Sequence, residues 1–398
     1  MRREYEDTHP WLRFSVSDLR RSDPSLWAML GECQSKFEHI AGVPLTPNIA
    51  GRFHRLYLAK GALATTAIEG NTLSEEDVLK SMDGTLRLPP SREYLEQEVK
   101  NIIEAFETIF SQVLAGLLPK LNAETFMSLN RAVLRNLSLD EGVSPGEIRK
   151  RSVGVVRYRG APHADCRYLL DRLGEWLDGP EFAYPDPNLR VAFGVIKAIL
   201  AHLYLAWIHP FGDGNGRTAR LVEFQILVSY GVASPALHLL SNHYNLTRSE
   251  YYRQLDRASK SGGDVMPFIK YAVQGLLDGL REQVAEIRRY QLEIMWSNHV
   301  HEVFGNTKSA ALIRRRNLVL DISKHSGPIR FSQLREISPR TMEAYRNKTM
   351  MTLKRDIRAI QEAGLIVRSR RGILPNKSII EAFLPDRLDF AEIRASIG

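Results

Sequence analysis

Cysteine is scarce in this chain, with only Cys33 and Cys166 in 398 residues. Two thiols cannot build a disulfide framework or a cysteine metal cluster, and their scarcity fits a reducing, cytoplasmic setting. Internal repeats and low-complexity tracts are missing too, so neither a solenoid nor a long disordered linker is expected. Met1 to Asp7 is dense in charge and no apolar core follows it, so no secretory leader is expected. No apolar run of spanning length is free of ionisable groups. Val191 to Ile208 comes nearest, but it contains Lys197 and His202 and leads into a polar motif, which predicts a buried central helix and no membrane contact. Two common nucleotide-binding patterns, Gly-x4-Gly-Lys-Ser/Thr and Gly-x-Gly-x-x-Gly, are also absent.

What is present is the composition of a soluble globular protein, 44% apolar and 25% charged, at a length that allows two domains each with its own core. The net charge of +8 is unevenly placed. Lys308 to Gly398 carries 19 Lys and Arg against 9 Asp and Glu, whereas the remainder carries 35 against 37. The C-terminal segment is therefore the part expected to meet a polyanion.

Apolar periodicity and capping residues predict a mainly α-helical chain. Residues 1–45 read as an extended piece and one helix ending near Gly42. Helices are then predicted over Pro47–Glu69, from the capped start Ser74-Glu75-Glu76-Asp77, and over Glu93–Ala115, Asn122–Asn136, Arg167–Leu177, Val191–Trp207, Gly214–Ser229, Arg248–Lys260 and Pro267–Met295. Val153 to Gly160 has no helical period and reads as a short β-hairpin. Past Asn306 the pattern changes to helices over Arg314–Lys324, Phe331–Ile337 and Thr349–Ala363, followed by two strands around Arg370-Arg371. Three helices and a hairpin in that order predict a winged helix-turn-helix. The third helix would bury Leu353, Ile357 and Ile360 and leave Lys354, Arg355 and Arg358 exposed to enter a major groove, with Arg368, Arg370 and Arg371 at the hairpin tip. A protein-binding module with a merely solvated basic face is the alternative.

The most informative stretch is His209-Pro-Phe-Gly-Asp-Gly-Asn-Gly-Arg-Thr-Ala-Arg220. Gly212, Gly214, Asn215 and Gly216 let backbone N–H groups converge at a helix start, where the dipole also favours an anion. Arg217 and Arg220 are three apart, so both forks reach one face. Asp213 is a misplaced acid in such a site unless Mg²⁺ bridges it to phosphates. His209 is a candidate general base, and Phe211 a plug into the core. A calcium loop is excluded because Asp213 is the only carboxylate in the run. From the residues alone this is a phosphate site of unassigned chemistry.

The whole string resembles the Fic family signature His-x-Phe-x-Asp/Glu-Gly-Asn-Gly/Lys-Arg-x-x-Arg, with every position matched. The resemblance implies a helical Fic fold that transfers AMP from ATP, with Mg²⁺, to a Ser, Thr or Tyr hydroxyl of a protein. His209 would deprotonate the hydroxyl, Asp213 would hold Mg²⁺, Gly214 to Arg217 would take the α and β phosphates, and Arg220 the γ-phosphate. Val153, Val155 and Val156, within residues 152–160, would form the flap that docks the target chain by strand addition. Tyr252, in the pair Tyr251-Tyr252, would lie by the adenine, although Ser259 stands where some relatives carry an asparagine.

Thr65-Thr-Ala-Ile-Glu69-Gly70 puts an acid in the last turn of a helix, against its dipole, ahead of a glycine cap. The segment resembles the Ser/Thr-x-x-x-Glu-Gly/Asn inhibitory motif of Fic proteins, which implies that Glu69 pairs with Arg220 and blocks the γ-phosphate. In some relatives the same glutamate supports removal of AMP. The expected domains are a preface at 1–46, a Fic domain at 47–305 with its inhibitory helix at about 47–71, and a winged helix at 306–398. Expected partners are a protein bearing a hydroxyl acceptor, duplex DNA and a second copy of the chain. Two other functions are carried forward: a DNA-bound regulator whose Fic core senses nucleotide, and a Fic enzyme that transfers another phosphate-containing group.

Overall fold

The computed structural model describes residues 2–16, 19, 23–44, 47–155, 158–306 and 308–381. In chain order the helices are α1 (Glu4–Thr8), α2 (Pro24–Ala41), α3 (Pro47–Ala67), α4 (Glu75–Met82), α5 (Glu93–Leu114) and α6 (Ala123–Val133). After the antiparallel strands β1 (Gly154–Val155) and β2 (Tyr158–Arg159) come α7 (Cys166–Leu177), α8 (Arg190–Ile208), α9 (Asn215–Ser229), α10 (Leu239–Leu246), α11 (Arg248–Lys260) and α12 (Met266–Phe304). The last part adds α13 (Ala310–Ile322), α14 (Pro339–Tyr345), α15 (Met350–Glu362), the antiparallel strands β3 (Ile366–Ser369) and β4 (Gly372–Pro375), and α16 (Ser378–Glu381). The chain divides into two compact units, residues 1–284 and 285–398.

Local chemistry explains most of the boundaries. Ser74 and Asp77 form a reciprocal capping box at the start of α4, and Asn122 caps α6 by accepting from the Thr125 amide. Helix α3 ends before Gly70, whose φ of +103° suits a residue without a side chain. In the first unit α8 is the core: it is buried almost all round, packs along α9, and matches the central helix expected at 191–208. Residues 187–208 are long and apolar enough to cross a membrane, but 89% of their apolar 18-residue window is buried in protein.

The structure departs from the sequence-based expectations at several places, including the short helix α16 after the hairpin. Helices α1 and α10 have no counterpart among them; each is short and carries too few turns for a periodic signal. Residues 331–336 form a 3₁₀ turn, and the next helix is α14, started by Ser338, whose side chain accepts from the Thr341 amide. Helix α12 runs past Met295 to Phe304 because Trp296, Val300 and Phe304 pack into the core of the second unit with Leu318, Ile322 and Leu353. For the same reason the division falls at residue 284 and not at 305.

Candidate active site

The site begins where α8 stops. His209 sits at φ +50° and ψ +57°, a left-handed conformation uncommon outside glycine, which His adopts more readily than most residues. Its amide donates to the Leu205 carbonyl at 2.9 Å, and its own carbonyl accepts from Arg149 Nε at 2.8 Å. The Arg149 amide donates to the Pro210 carbonyl, and Ile148 pairs with Phe211 in an isolated bridge. Phe211 is buried, as its plugging role requires. The side chain of Asn215 accepts from the Phe211 amide and donates to the Phe211 carbonyl, both at 2.9 Å. The Asn215 side chain is therefore occupied in shaping the loop. Gly214, at φ +75°, completes the turn into α9.

Both motif arginines are buried and already engaged. Arg217 donates to Glu98 Oε1 at 2.6 Å and reaches Asp213 at 3.1 Å. The other oxygen of Glu98 accepts from Asn71 Nδ2 at 2.9 Å, which ties the end of the α3 turn to Arg217. Arg220 donates through Nη2 to the Thr65 carbonyl at 2.8 Å and to Glu69 Oε1 at 2.7 Å. The same Glu69 oxygen occupies the space that a Cβ on Gly216 would fill, so the carboxylate lies on the first turn of α9. Burial pushes Glu69 up, but the charge and hydrogen bond of Arg220, with Arg217 and His209 behind, hold it below the usual carboxylate range. The Asp213 side chain stays 48% exposed.

A cavity of about 320 Å³ opens over this arrangement. Of the residues singled out in the sequence, it brings together His209, Gly216, Arg220, Tyr252 and Glu69; Gly212, Asp213, Gly214, Asn215 and Arg217 do not line it. Burial, then the positive charge of Arg149, lowers His209 to about 4, so the imidazole is neutral at pH 7 and able to accept a proton. Tyr251 also lines the cavity, but its hydroxyl turns inward to His202 Nε2 at 2.8 Å. His202 in turn lies 3.3 Å from Glu223, which accepts from the Tyr244 hydroxyl. His202 is thus the core histidine its apolar helix suggests. The Ser259 hydroxyl is turned onto the Asp256 carbonyl and does not face the cavity.

The hairpin at 153–160 is present as β1 and β2, with Val153 half-buried and Val155 paired to Tyr158. Val156 lies outside the described residues. Tyr158, which no motif marks, lines the cavity and donates its hydroxyl to the Trp207 carbonyl at 2.7 Å. Glu98, Arg149 and Tyr158 are the functional residues that sequence reasoning missed. Each sits in an ordinary local pattern and takes its role from a partner at least 49 positions away.

In the second unit, Lys354, Arg355, Arg358, Arg370 and Arg371 are exposed, and Lys354, Arg358 and Arg368 line a groove of about 740 Å³ between α15 and the β3–β4 hairpin. Arg358 is paired with Glu362 at 2.9 Å. On the inner face of α15, Asp356 is fully buried and holds Arg314 and Arg315.

Residues 120–227 match the model of the Fic/DOC family. Over 229 residues, 57% of the chain, the sequence is 30% identical to protein adenylyltransferase fic-1 of Caenorhabditis briggsae, and it covers 40% of that protein. It is 28% identical over 213 residues to protein adenylyltransferase Fic of Nematostella vectensis, covering 45% of it. The chain thus spans less than half the length of these relatives. Among solved structures, a Fic family protein from Desulfovibrio desulfuricans aligns over 89% of this chain and 94% of its own, with a TM-score of 0.56 at 21% identity. Fic-1 (aa134–508) from C. elegans aligns over 67% and 74%, with a TM-score of 0.52 at 23% identity. At these identities the structural likeness concerns the fold, which is mainly helical and of the Fic type.

Proposed function

We propose that this chain is an autoinhibited protein adenylyltransferase of the cytoplasm, moving AMP from ATP to a Ser, Thr or Tyr hydroxyl of a protein. The observation that carries the proposal is the grouping of a neutral His209, the Gly216 turn and Arg220 on one cavity, in a chain similar to protein adenylyltransferases. Two unpaired, buried thiols fit the compartment.

With Glu69 withdrawn, the first turn of α9 and Arg220 offer backbone N–H groups and a cationic fork to a triphosphate, and Arg217 behind them adds positive charge. His209 takes the proton of the acceptor hydroxyl as its oxygen forms a bond to the α-phosphorus. The bond from that phosphorus to the oxygen bridging to the β-phosphorus then breaks, and pyrophosphate leaves. Among the described residues no group of three or more His, Cys, Asp or Glu could hold a metal alone. A single half-exposed carboxylate, Asp213, suits Mg²⁺, which takes one or two carboxylates together with phosphate oxygens and would neutralise phosphate charge there. The β1–β2 hairpin supplies an edge for the acceptor strand. The test is labelling from α-labelled ATP and Mg²⁺ by the full chain and by Glu69→Gly. Label transferred to protein and lost in His209→Ala supports the reading, and no label from either counts against it.

The basic groove in the second unit favours an additional reading of residues 306–398 as a winged helix that binds duplex DNA. Lys354, Arg355 and Arg358 on α15 are exposed towards solvent, Arg358 in an exposed pair with Glu362 that a phosphate would replace, with Arg370 and Arg371 at the hairpin turn. In a chain that binds DNA without labelling protein, the first unit would act as a nucleotide sensor.

A further inference from the structure

Arg149 stands apart from the other buried cations of the first unit. It is 5% exposed, and among the described residues no Asp or Glu pairs with it. A buried guanidinium normally needs an acid. Arg149 is satisfied instead by backbone carbonyls: Nε donates to His209 at 2.8 Å, Nη1 to Arg151 at 2.7 Å, and Nη2 to Ala161. Arg151 precedes β1 and Ala161 follows β2, so two of the three carbonyls are the two roots of the hairpin. The third belongs to the left-handed residue that carries the candidate base.

The backbone repeats this stitching. The Arg149 amide donates to Pro210, the Ala161 amide to Ile208, and the Gly160 amide to Val153. Gly160 leaves the room required, because a Cβ there would lie 2.9 Å from His209 Cβ and 3.0 Å from Arg149 Nη2. We infer that Arg149 is a positioning residue that fixes His209 and the root of the β1–β2 flap as one unit, holding the proton acceptor in register with the docked acceptor strand. The inference rests on the reading of the site as a protein adenylyltransferase.

Bridging and charge are separable consequences of this residue. Only a planar fork spans three carbonyls, whereas any cation at this place opposes a protonated imidazole. The groups facing His209 are Arg149, which opposes its protonation, and Glu69 and Asp213, which favour it. Lysine at 149 keeps the charge and loses the fork; methionine loses both.

The test uses the full chain with Arg149→Lys and Arg149→Met, each alone and with Glu69→Gly. The His209 ring is followed by NMR titration, its signals assigned by their loss in His209→Gln. ATP affinity is measured without acceptor, and self-labelling with α-labelled ATP and Mg²⁺. Arg149→Met is expected to raise the His209 midpoint, and Arg149→Lys to leave it near its starting value. Both are expected to lower self-labelling by about 100-fold, the usual consequence of a misplaced reacting group, with ATP affinity changed less than about threefold. Labelling by Arg149→Lys equal to that of the Glu69→Gly parent overturns the inference, as does an unmoved midpoint in Arg149→Met. If Arg149→Met shows no cooperative melt, Arg149→Lys decides. If the Glu69→Gly parent itself transfers no label, the adenylyltransferase reading fails and the inference fails with it, whereas a labelling parent with an undiminished Arg149→Lys variant fails the inference alone.

Discussion

Glu69 Oε1 lies 2.7 Å from Arg220 Nη2 and occupies the space a Cβ on Gly216 would fill. One carboxylate thereby does two things, neutralising a buried guanidinium and covering the helix turn that is shaped for an anion. The pair bridges 151 positions of sequence and joins the end of α3 to the first turns of α9. Under the proposed function, an incoming phosphate would have to replace the carboxylate at both places.

Removing that carboxylate frees the turn. Glu69→Gly is expected to raise labelling from α-labelled ATP by about tenfold or more, within the roughly 5–150-fold range of typical coupling energies. It should also tighten ATP binding, measurable by calorimetry. Equal or lower labelling than the parent chain would sink the idea of a brake.

Gly216→Ala separates release from competence. The new methyl collides with Glu69 and sits in the anion turn itself, 3.1 Å from Arg220 Nη1. The variant should lose the Glu69–Arg220 pair without gaining transfer, so that combining it with Glu69→Gly abolishes the activation. Labelling of the double variant at the level of Glu69→Gly would show that phosphates bind elsewhere.

His209 and His238 are both held near 4, first by burial and then by Arg149 and Lys60 respectively. The unfolded chain takes up these protons as pH falls through about 6.5, and the folded chain only near 4. Between the two values the unfolded state binds more protons, so stability present above about pH 6.5 is lost progressively as pH falls towards about 4. The Tm of the full chain should drop between about pH 7 and pH 5, and the drop should be smaller in His209→Gln/His238→Gln. A Tm with the same pH slope in both proteins would contradict this.

For the second unit, Lys354→Ala/Arg358→Ala in the full chain should weaken retention on duplex DNA by about tenfold at low salt. It should also reduce the salt slope by up to about 2, one for each phosphate that is no longer neutralised. Transfer activity should be unaffected. No binding by the parent chain at low salt would remove duplex DNA as a partner.

Much of this architecture is legible in the order of the residues. The caps Ser74, Asn122 and Thr349 mark helix starts because a side-chain oxygen satisfies an amide within three residues, a wholly local event. The buried face Leu353, Ile357 and Ile360 follows from the period of the helix. The types and spacing of His209, Gly214, Gly216, Arg217 and Arg220 likewise announce an anion turn with a base beside it. Asp356, on the same helix as Leu353, shows where local reading stops: nothing in its neighbourhood foretells two arginines from α13 and a buried position.

The sequence by itself thus determined most of the longer helices, a glycine-rich turn at a helix start and the presence of an acid at a helix end. Apart from the Glu69–Arg220 pair, which the resemblance to the inhibitory motif implied, only the tertiary structure decided what those charges meet. Packing α3 and α5 against α9 brought Glu69 to Arg220 and Glu98 to Arg217, and folding the hairpin back on α8 placed Arg149 on His209. Ion pairs and carbonyl clamps between distant segments have no period and no fixed spacing. Their partners are set by which helix faces share one core, and that is a property of the whole fold.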